Sequence, residues 1–355
     1  MSSVPQIYAL TSVRGAAAWW VVFYHFRELF PAGTPEVFHH IAAQGYLAVD
    51  LFFILSGFVI TLNYRKKFES WDWKTNLYFY GARLGRIYPL HLVMMVLFLA
   101  NPLAIHLFSS EGSLEGRYEF SYYFLSLLLI QNWGFTSGLA WNIPAWSIST
   151  EWFAYLVFPF SVAVLLRGMH GVAALRSVLV LLLVALGLIS HLTGGLGSEI
   201  ERFGLWRCVI EFQIGVVVCL LRERLRGSGT NGGDLAVGLA IALFAAYALL
   251  PIADYLLIPT ALTLFIYGLT DPNNFAARHL HIPALIWIGE ISYSTYLVHF
   301  FVKDWVKFVL VRPGVPDLLP FLVYIGAVLI ASVILYRWIE VPGQRFVRSW
   351  LDRKK

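Results

Sequence analysis

Apolar positions along this chain neither alternate nor recur every third or fourth residue. They come in near-continuous runs of about twenty, separated by short polar stretches. In helical geometry a run of that length covers about 30 Å, the thickness of the hydrocarbon core of a bilayer. The runs fall at 8–29, 45–64, 84–105, 147–166, 173–193, 204–221, 235–251, 253–270, 285–310 and 319–340. They predict an all-α, polytopic membrane helix bundle of about ten transmembrane helices. One more stretch at 120–137, beginning "FSYYFLSLLLIQNWGF", is apolar but does not declare itself a span.

Basic residues gather where the runs end. The clusters are Arg65-Lys66-Lys67 with Arg83 and Arg86, then Arg167 and Arg176, then Arg222, Arg224 and Arg226. The last comprises Arg345, Arg348, Arg353, Lys354 and Lys355. Such clusters mark cytoplasmic loops. With both termini inside, about ten crossings put every cluster on that side, whereas an added crossing at 120–137 would invert all that follow. That stretch is therefore expected to be re-entrant or interfacial. The first run contains Arg14 and lacks a basic leader with a clean cleavage site, so it reads as a retained span rather than a signal peptide. The organisation expected is one transmembrane domain over 1–345 and a short basic cytoplasmic tail over 346–355.

Composition agrees. Of 355 residues, 59% are hydrophobic and 13% charged, against about 25% charged in soluble domains. The net charge of +5 lies mostly in the loop clusters, so it reports topology and not nucleic-acid binding. Thirteen Trp, 18 Tyr and 27 Phe suffice for interfacial belts as well as packing. Cys208 and Cys219 share one run, where a disulfide is geometrically excluded and metal-ligand spacing is lacking.

Ionisable residues inside spans are costly and point to candidate chemistry. Arg14 and His25 lie eleven residues apart, which is within about 20° of three helical turns and roughly 16 Å along the axis. Asp50, His91, Glu151, Arg207, Glu211, Glu290 and His299 fall in other runs. Ser292, Tyr296 and His299 come within about 60° of one helix face. Arg83 and Arg86 form a cationic fork at the cytoplasmic mouth, suited to phosphate or to simple anchoring. A histidine near a carboxylate can take a hydroxyl proton near neutral pH. The same residues would equally serve as a proton relay in a transporter or lipid-linked sugar flippase, and the residues alone leave both readings open.

Six stretches, in order, resemble the acyltransferase-3 family of integral membrane acyltransferases. They are "LTSVRGAAAWWVVFYHF", "GYLAVDLFFILSGFVIT", "ARLGRIYPLH", "PAWSISTEWFAYLVFP", "IGEISYSTYLVH" and "IEVPGQRF". The resemblance runs from near residue 8 to about 345. It implies transfer of an acyl group, most often acetyl, from cytoplasmic acyl-CoA to a hydroxyl of a carbohydrate or glycolipid acceptor at a bacterial inner membrane. It implies no metal, and functional roles for Arg14, His25, Arg83, Arg86 and Glu151. On this reading His25 is the base, oriented by Asp50 or Glu151. Arg83 and Arg86 hold the phosphates of acetyl-CoA, Arg14 either steers CoA or acts catalytically by stabilising charge on the reacting carbonyl, and Trp146, Tyr155, Tyr296 and His299 are the candidates to meet the acceptor. Some relatives carry a fused extracytoplasmic SGNH domain. This chain is expected to be the stand-alone form, with acceptor reaching the membrane site directly or through a separate extracytoplasmic transferase.

Overall fold

The computed structural model describes residues 6–69, 72–108, 115–225 and 232–353. Arg226, Lys354 and Lys355 of the basic clusters lie outside them. The all-α expectation holds: the described chain is helical throughout, with no strand. In order the helices are α1 (Tyr8–Phe26), α2 (Glu36–Ala43), α3 (Ala48–Tyr64), α4 (Trp73–Phe98) and α5 (Ala100–Phe108). Next come α6 (Phe120–Leu127), α7 (Trp146–Gly168), α8 (Val172–Thr193), α9 (Ile200–Leu225) and α10 (Gly232–Leu249). They are followed by α11 (Asp254–Leu269), α12 (Phe275–His279), α13 (Pro283–Glu290), α14 (Ser292–Leu310), α15 (Leu318–Leu335) and α16 (Val341–Arg353).

Among the described residues seven helical segments are long and apolar enough to cross a membrane, or eight if the bent pair α13–α14 is one span. The remaining two predicted runs are helical too. Helix α11 has only 16 residues, about 24 Å of rise. Helix α1 has 19 residues but carries Arg14 and His25 and is not among the seven. Residues 346–353, assigned to a tail, continue α16.

The chain divides into two compact units. The first comprises Met1–Ala16, Leu47–Leu77 and Phe153–Glu290. Its centre is the pair α3 and α9, whose backbones touch because glycines face backbone on both sides. A Cβ on Gly57 would lie 1.9 Å from the Phe212 carbonyl oxygen, and one on Gly215 1.9 Å from that of Ile54. Small residues permit such approach between apolar helices, where dispersion and hydrogen bonds must replace the hydrophobic effect. The same logic joins α1 to α13, since a Cβ on Gly289 would meet the Thr11 carbonyl at 1.9 Å. Two loops expected on one side of the membrane also meet here, Arg65 pairing with Glu223 at 2.6 Å.

The second unit comprises Ala17–Tyr46, Tyr78–Trp152 and Ile291–Lys355. Phe26 of α1 stacks on Tyr324 of α15 at 4.1 Å, and the Tyr324 hydroxyl donates to the Val22 carbonyl. Val306 of α14 joins the same core. Gly81 and Gly85 of α4 receive Leu351 and Val347 of α16. The stretch 120–137 is no span: α6 has eight residues, and turns and bends follow it. Within it Leu129, Gln131 and Asn132 are buried, while Leu128 and Phe135 are exposed, and polar side chains serve the buried part. Gln131 donates to the Ala145 carbonyl, Ser149 to that of Leu129, and Asn142 to that of Leu297. Irregular backbone at membrane depth persists only when protein supplies such partners.

Candidate active site

Helix α14 carries three polar stations about five residues, or roughly 7.5 Å of rise, apart. The first is at Ser294, whose hydroxyl donates to Glu340 at 2.6 Å. Glu340 sits in a π-helical turn, Tyr336–Glu340, between α15 and α16. Its other oxygen receives Arg86, whose guanidinium also lies over the Tyr293 ring at 5.3 Å. A buried carboxylate is tolerable here because it is both paired and hydrogen-bonded. The π turn is what brings it to Ser294 and Arg86; such turns recur at functional sites.

The second station is His299. Its Nδ1 lies 2.6 Å from the Tyr296 carbonyl, so that nitrogen carries the proton and donates. Nε2 is then a lone-pair acceptor, fully buried and with no hydrogen-bond partner among the described residues. The half-buried ring of His25 faces it at 5.2 Å, tilted by 35°, with Phe300 edge-on to His25 at 5.2 Å. Beside them the Tyr296 and Ser147 hydroxyls share a 2.8 Å hydrogen bond, both within reach of the Pro144 carbonyl. This is a compact set of proton-handling groups in an apolar surround: two imidazoles and two hydroxyls.

The third station is Asp304. It pairs with Arg117 at 2.6 Å and accepts from Asn101 at 3.0 Å.

The other expected site residues have partners of their own. Asp50, in the first unit, holds Arg207 through both carboxylate oxygens at 2.8 and 2.6 Å, with Glu211 3.7 Å from the same guanidinium. Arg14, also in the first unit, donates from Nε and Nη2 to the Gly289 carbonyl at 3.3 and 2.8 Å. It thus caps the last turn of α13, where unpaired carbonyls favour a cation. Trp146 and Tyr155 are 5% and 4% exposed, so neither offers an open ring face; Tyr155 lies 3.4 Å from the Ser56 hydroxyl. Arg83 and Glu151 are half-buried on α4 and α7. His91 binds the Ser126 carbonyl at 2.8 Å and pins α6 to α4. Among the described residues no three His, Cys, Asp or Glu side chains are grouped to hold a metal ion.

Sequence reasoning missed Ser147, Ser294, Glu340, Arg117 and Asp304. Glu340 was visible as a lone acid following an apolar run, but nothing local tells which cation it meets.

A polytopic helical protein with a buried histidine, a half-buried one facing it and flanking hydroxyls has the makings of a membrane group-transfer enzyme. The comparison with known families makes the class definite: a model described as an acyltransferase domain, acyltransferase-3, matches residues 7–337, and the chain belongs to that family. It is an acyltransferase. Similar proteins include acyltransferase MdmB of Streptomyces mycarofaciens, 30% identical over 283 residues, 74% of this chain and 69% of that one. O-acetyltransferase OatA of Staphylococcus aureus (strain NCTC 8325 / PS 47) is 24% identical over 86% of this chain and 54% of its own length. A putative O-acetyltransferase of Staphylococcus aureus (strain COL) is 23% identical over 95% of this chain and 57% of its own. The chain thus spans little more than half the length of these two O-acetyltransferases. No solved structure matches.

Proposed function

We propose that this acyltransferase moves an acetyl group from cytoplasmic acetyl-CoA to a hydroxyl of a cell-surface or lipid-linked carbohydrate at the inner membrane. The observation that carries the proposal is the His25–His299 pair, with His299 Nε2 buried and open, in a chain of this family. His25 takes the acceptor hydroxyl proton as the oxygen bonds the thioester carbonyl carbon. The carbon–sulfur bond breaks, and the proton passes to the departing CoA thiolate. His299, its tautomer fixed by the Tyr296 carbonyl, holds the ring of His25 and offers a second place for that proton. Tyr296 and Ser147 supply hydroxyl dipoles beside the pair.

The donor enters at the first station. Arg86 is engaged by Glu340, so it acts as a positioning residue there, and Arg83 one turn earlier is the group assigned to CoA phosphate. Glu151 is assigned a part in orienting this machinery. Arg14 and Asp50 are assigned to holding the first unit together through the Gly289 carbonyl and Arg207. The contact between Arg65 and Glu223 supports a shared, cytoplasmic side for those two loops. O-acetyltransferase OatA, by its name, supports acetyl as the group and oxygen as its destination.

The test is glycan-dependent release of CoA thiol. Purified full chain in lipid nanodiscs with acetyl-CoA is expected to release thiol when a glycan acceptor is added and to yield an acetylated glycan. Glycan movement across a vesicle without thiol release would overturn the proposal in favour of a transporter.

A further inference from the structure

Beyond His299, α14 runs into a cavity of about 340 Å³, within the range of small-molecule sites. Its described walls include Asn101, Arg117, Tyr118, Asp304, Trp305 and Phe308. These residues form one connected network. Trp305 donates from its indole nitrogen to Asn101 at 3.0 Å, and Asn101 donates to Asp304 at 3.0 Å. Arg117 closes the set on the same Asp304 oxygen, Oδ2, at 2.6 Å. A hydroxyl both donates and accepts, so a sugar hydroxyl at this rim can donate to the Asp304 carboxylate and accept from the Arg117 guanidinium.

The rest of the wall mixes aromatic rings with the aliphatic Ala104, Ile105 and Val311 and with Lys307. Trp305 and Phe308 are part-exposed, and Tyr118 packs edge-on to Trp141 at 5.2 Å. Broad rings suit the C–H face of a sugar, and the polar network suits its rim. A lipid chain would instead cover the Arg117–Asp304 pair and return nothing to it. One buried ring, Phe300, separates the cavity wall from the histidines. Phe300 touches His25 at 5.2 Å on one side and receives Arg117 at 5.7 Å on the other.

We infer that the cavity beside Trp305 and the Arg117–Asp304–Asn101 network is a subsite for the acceptor, which seats one sugar ring of the glycan while a neighbouring part of the same acceptor presents its hydroxyl to His25. This rests on the carbohydrate reading above, and it replaces Trp146 and Tyr155 as the residues that meet the acceptor. Asp304 lies five residues beyond His299, roughly 7.5 Å of rise and about 140° around α14, so the seated ring and the reacting hydroxyl occupy separate places on the acceptor.

The test uses purified full chain with acetyl-CoA and three probes: chitotetraose, maltotetraose and a tetrasaccharide of uronic acids. Transfer is read as acetylated product, and KM for the best probe is measured in Trp305→Ala and Trp305→Phe. The expected result is a KM raised fivefold or more in Trp305→Ala, with kcat changed less, and recovery in Trp305→Phe. A rise below fivefold, or no recovery with Phe, overturns the site while leaving the enzyme a carbohydrate acyltransferase. Wild-type protein that acetylates none of the probes but does acetylate a hydroxyl of added lipid overturns both readings. Should Trp305→Ala fail to purify as a monodisperse protein, Ala104→Phe fills the cavity without removing a hydrogen bond, and the same fivefold threshold decides.

Discussion

Asp50→Asn separates structural from chemical roles for the charge inside α3. Asp50 and Arg207 are 0% and 6% exposed and joined by two hydrogen bonds. Asparagine keeps one oxygen for Arg207 but removes the charge, leaving the guanidinium with Glu211, 3.7 Å away and less well aligned. Removing one partner of a buried pair costs about 3–5 kcal/mol, chiefly because the other charge stays buried. At about 2 °C per kcal/mol for a chain of this size, the melting midpoint should fall by roughly 6–10 °C. The double variant Asp50→Asn/Arg207→Gln should lose about 1–3 kcal/mol less than the two singles added together. The assay is thermal unfolding in detergent beside turnover per folded protein at a temperature well below either midpoint. Asp50→Asn that melts within about 2 °C of wild type yet loses turnover by about 100-fold or more would place Asp50 in the chemistry and refute the reasoning.

Three further outcomes follow from named contacts. Gly289→Ala puts a Cβ 1.9 Å from the Thr11 carbonyl, so α1 and α13 must part, and a loss of about 1–3 kcal/mol is expected in unfolding. His299→Gln should keep a folded protein and slow transfer about 10-fold or more with a changed pH profile, because the second proton acceptor is gone; an unchanged profile would make His299 mere packing. At the start of α4, Asp72 accepts from the Thr75 hydroxyl and amide and from the Lys74 amide. The Thr75 bonds, the side-chain one first, hold its carboxyl below the ordinary 3.8. That cap is therefore fully present above pH 3.8 and lost as pH falls through the lower folded value. Hydrogen exchange at Lys74 and Thr75 should stay slow down to that point and speed up below it.

What the sequence made legible was whatever is local. Hydrophobic runs located the helices, and the placement of the basic clusters was enough to read 120–137 as re-entrant or interfacial and not as a span. The Arg14 and His25 spacing on one helix was likewise readable from helical geometry. Pairing was not, because it depends on which helices meet. Asp50 finds Arg207 157 residues away, and Arg86 finds Glu340 254 residues away. The sequence offered Asp50 or Glu151 to orient His25, and gave no sign that the His299 imidazole of α14 faces it. Span number also resisted reading, since α11 is short and α1 carries charge within its length.

The central claim is that His25 is the base in acyl transfer. It is tested most directly by acetyl transfer from radiolabelled acetyl-CoA to glycan with His25→Ala, measured beside the melting midpoint of the same preparation. The account predicts product formation reduced by about 100-fold or more, the ordinary contribution of a positioned base, with the midpoint little changed because the ring is only half-buried. A His25→Ala protein that transfers acetyl within threefold of wild type would contradict it.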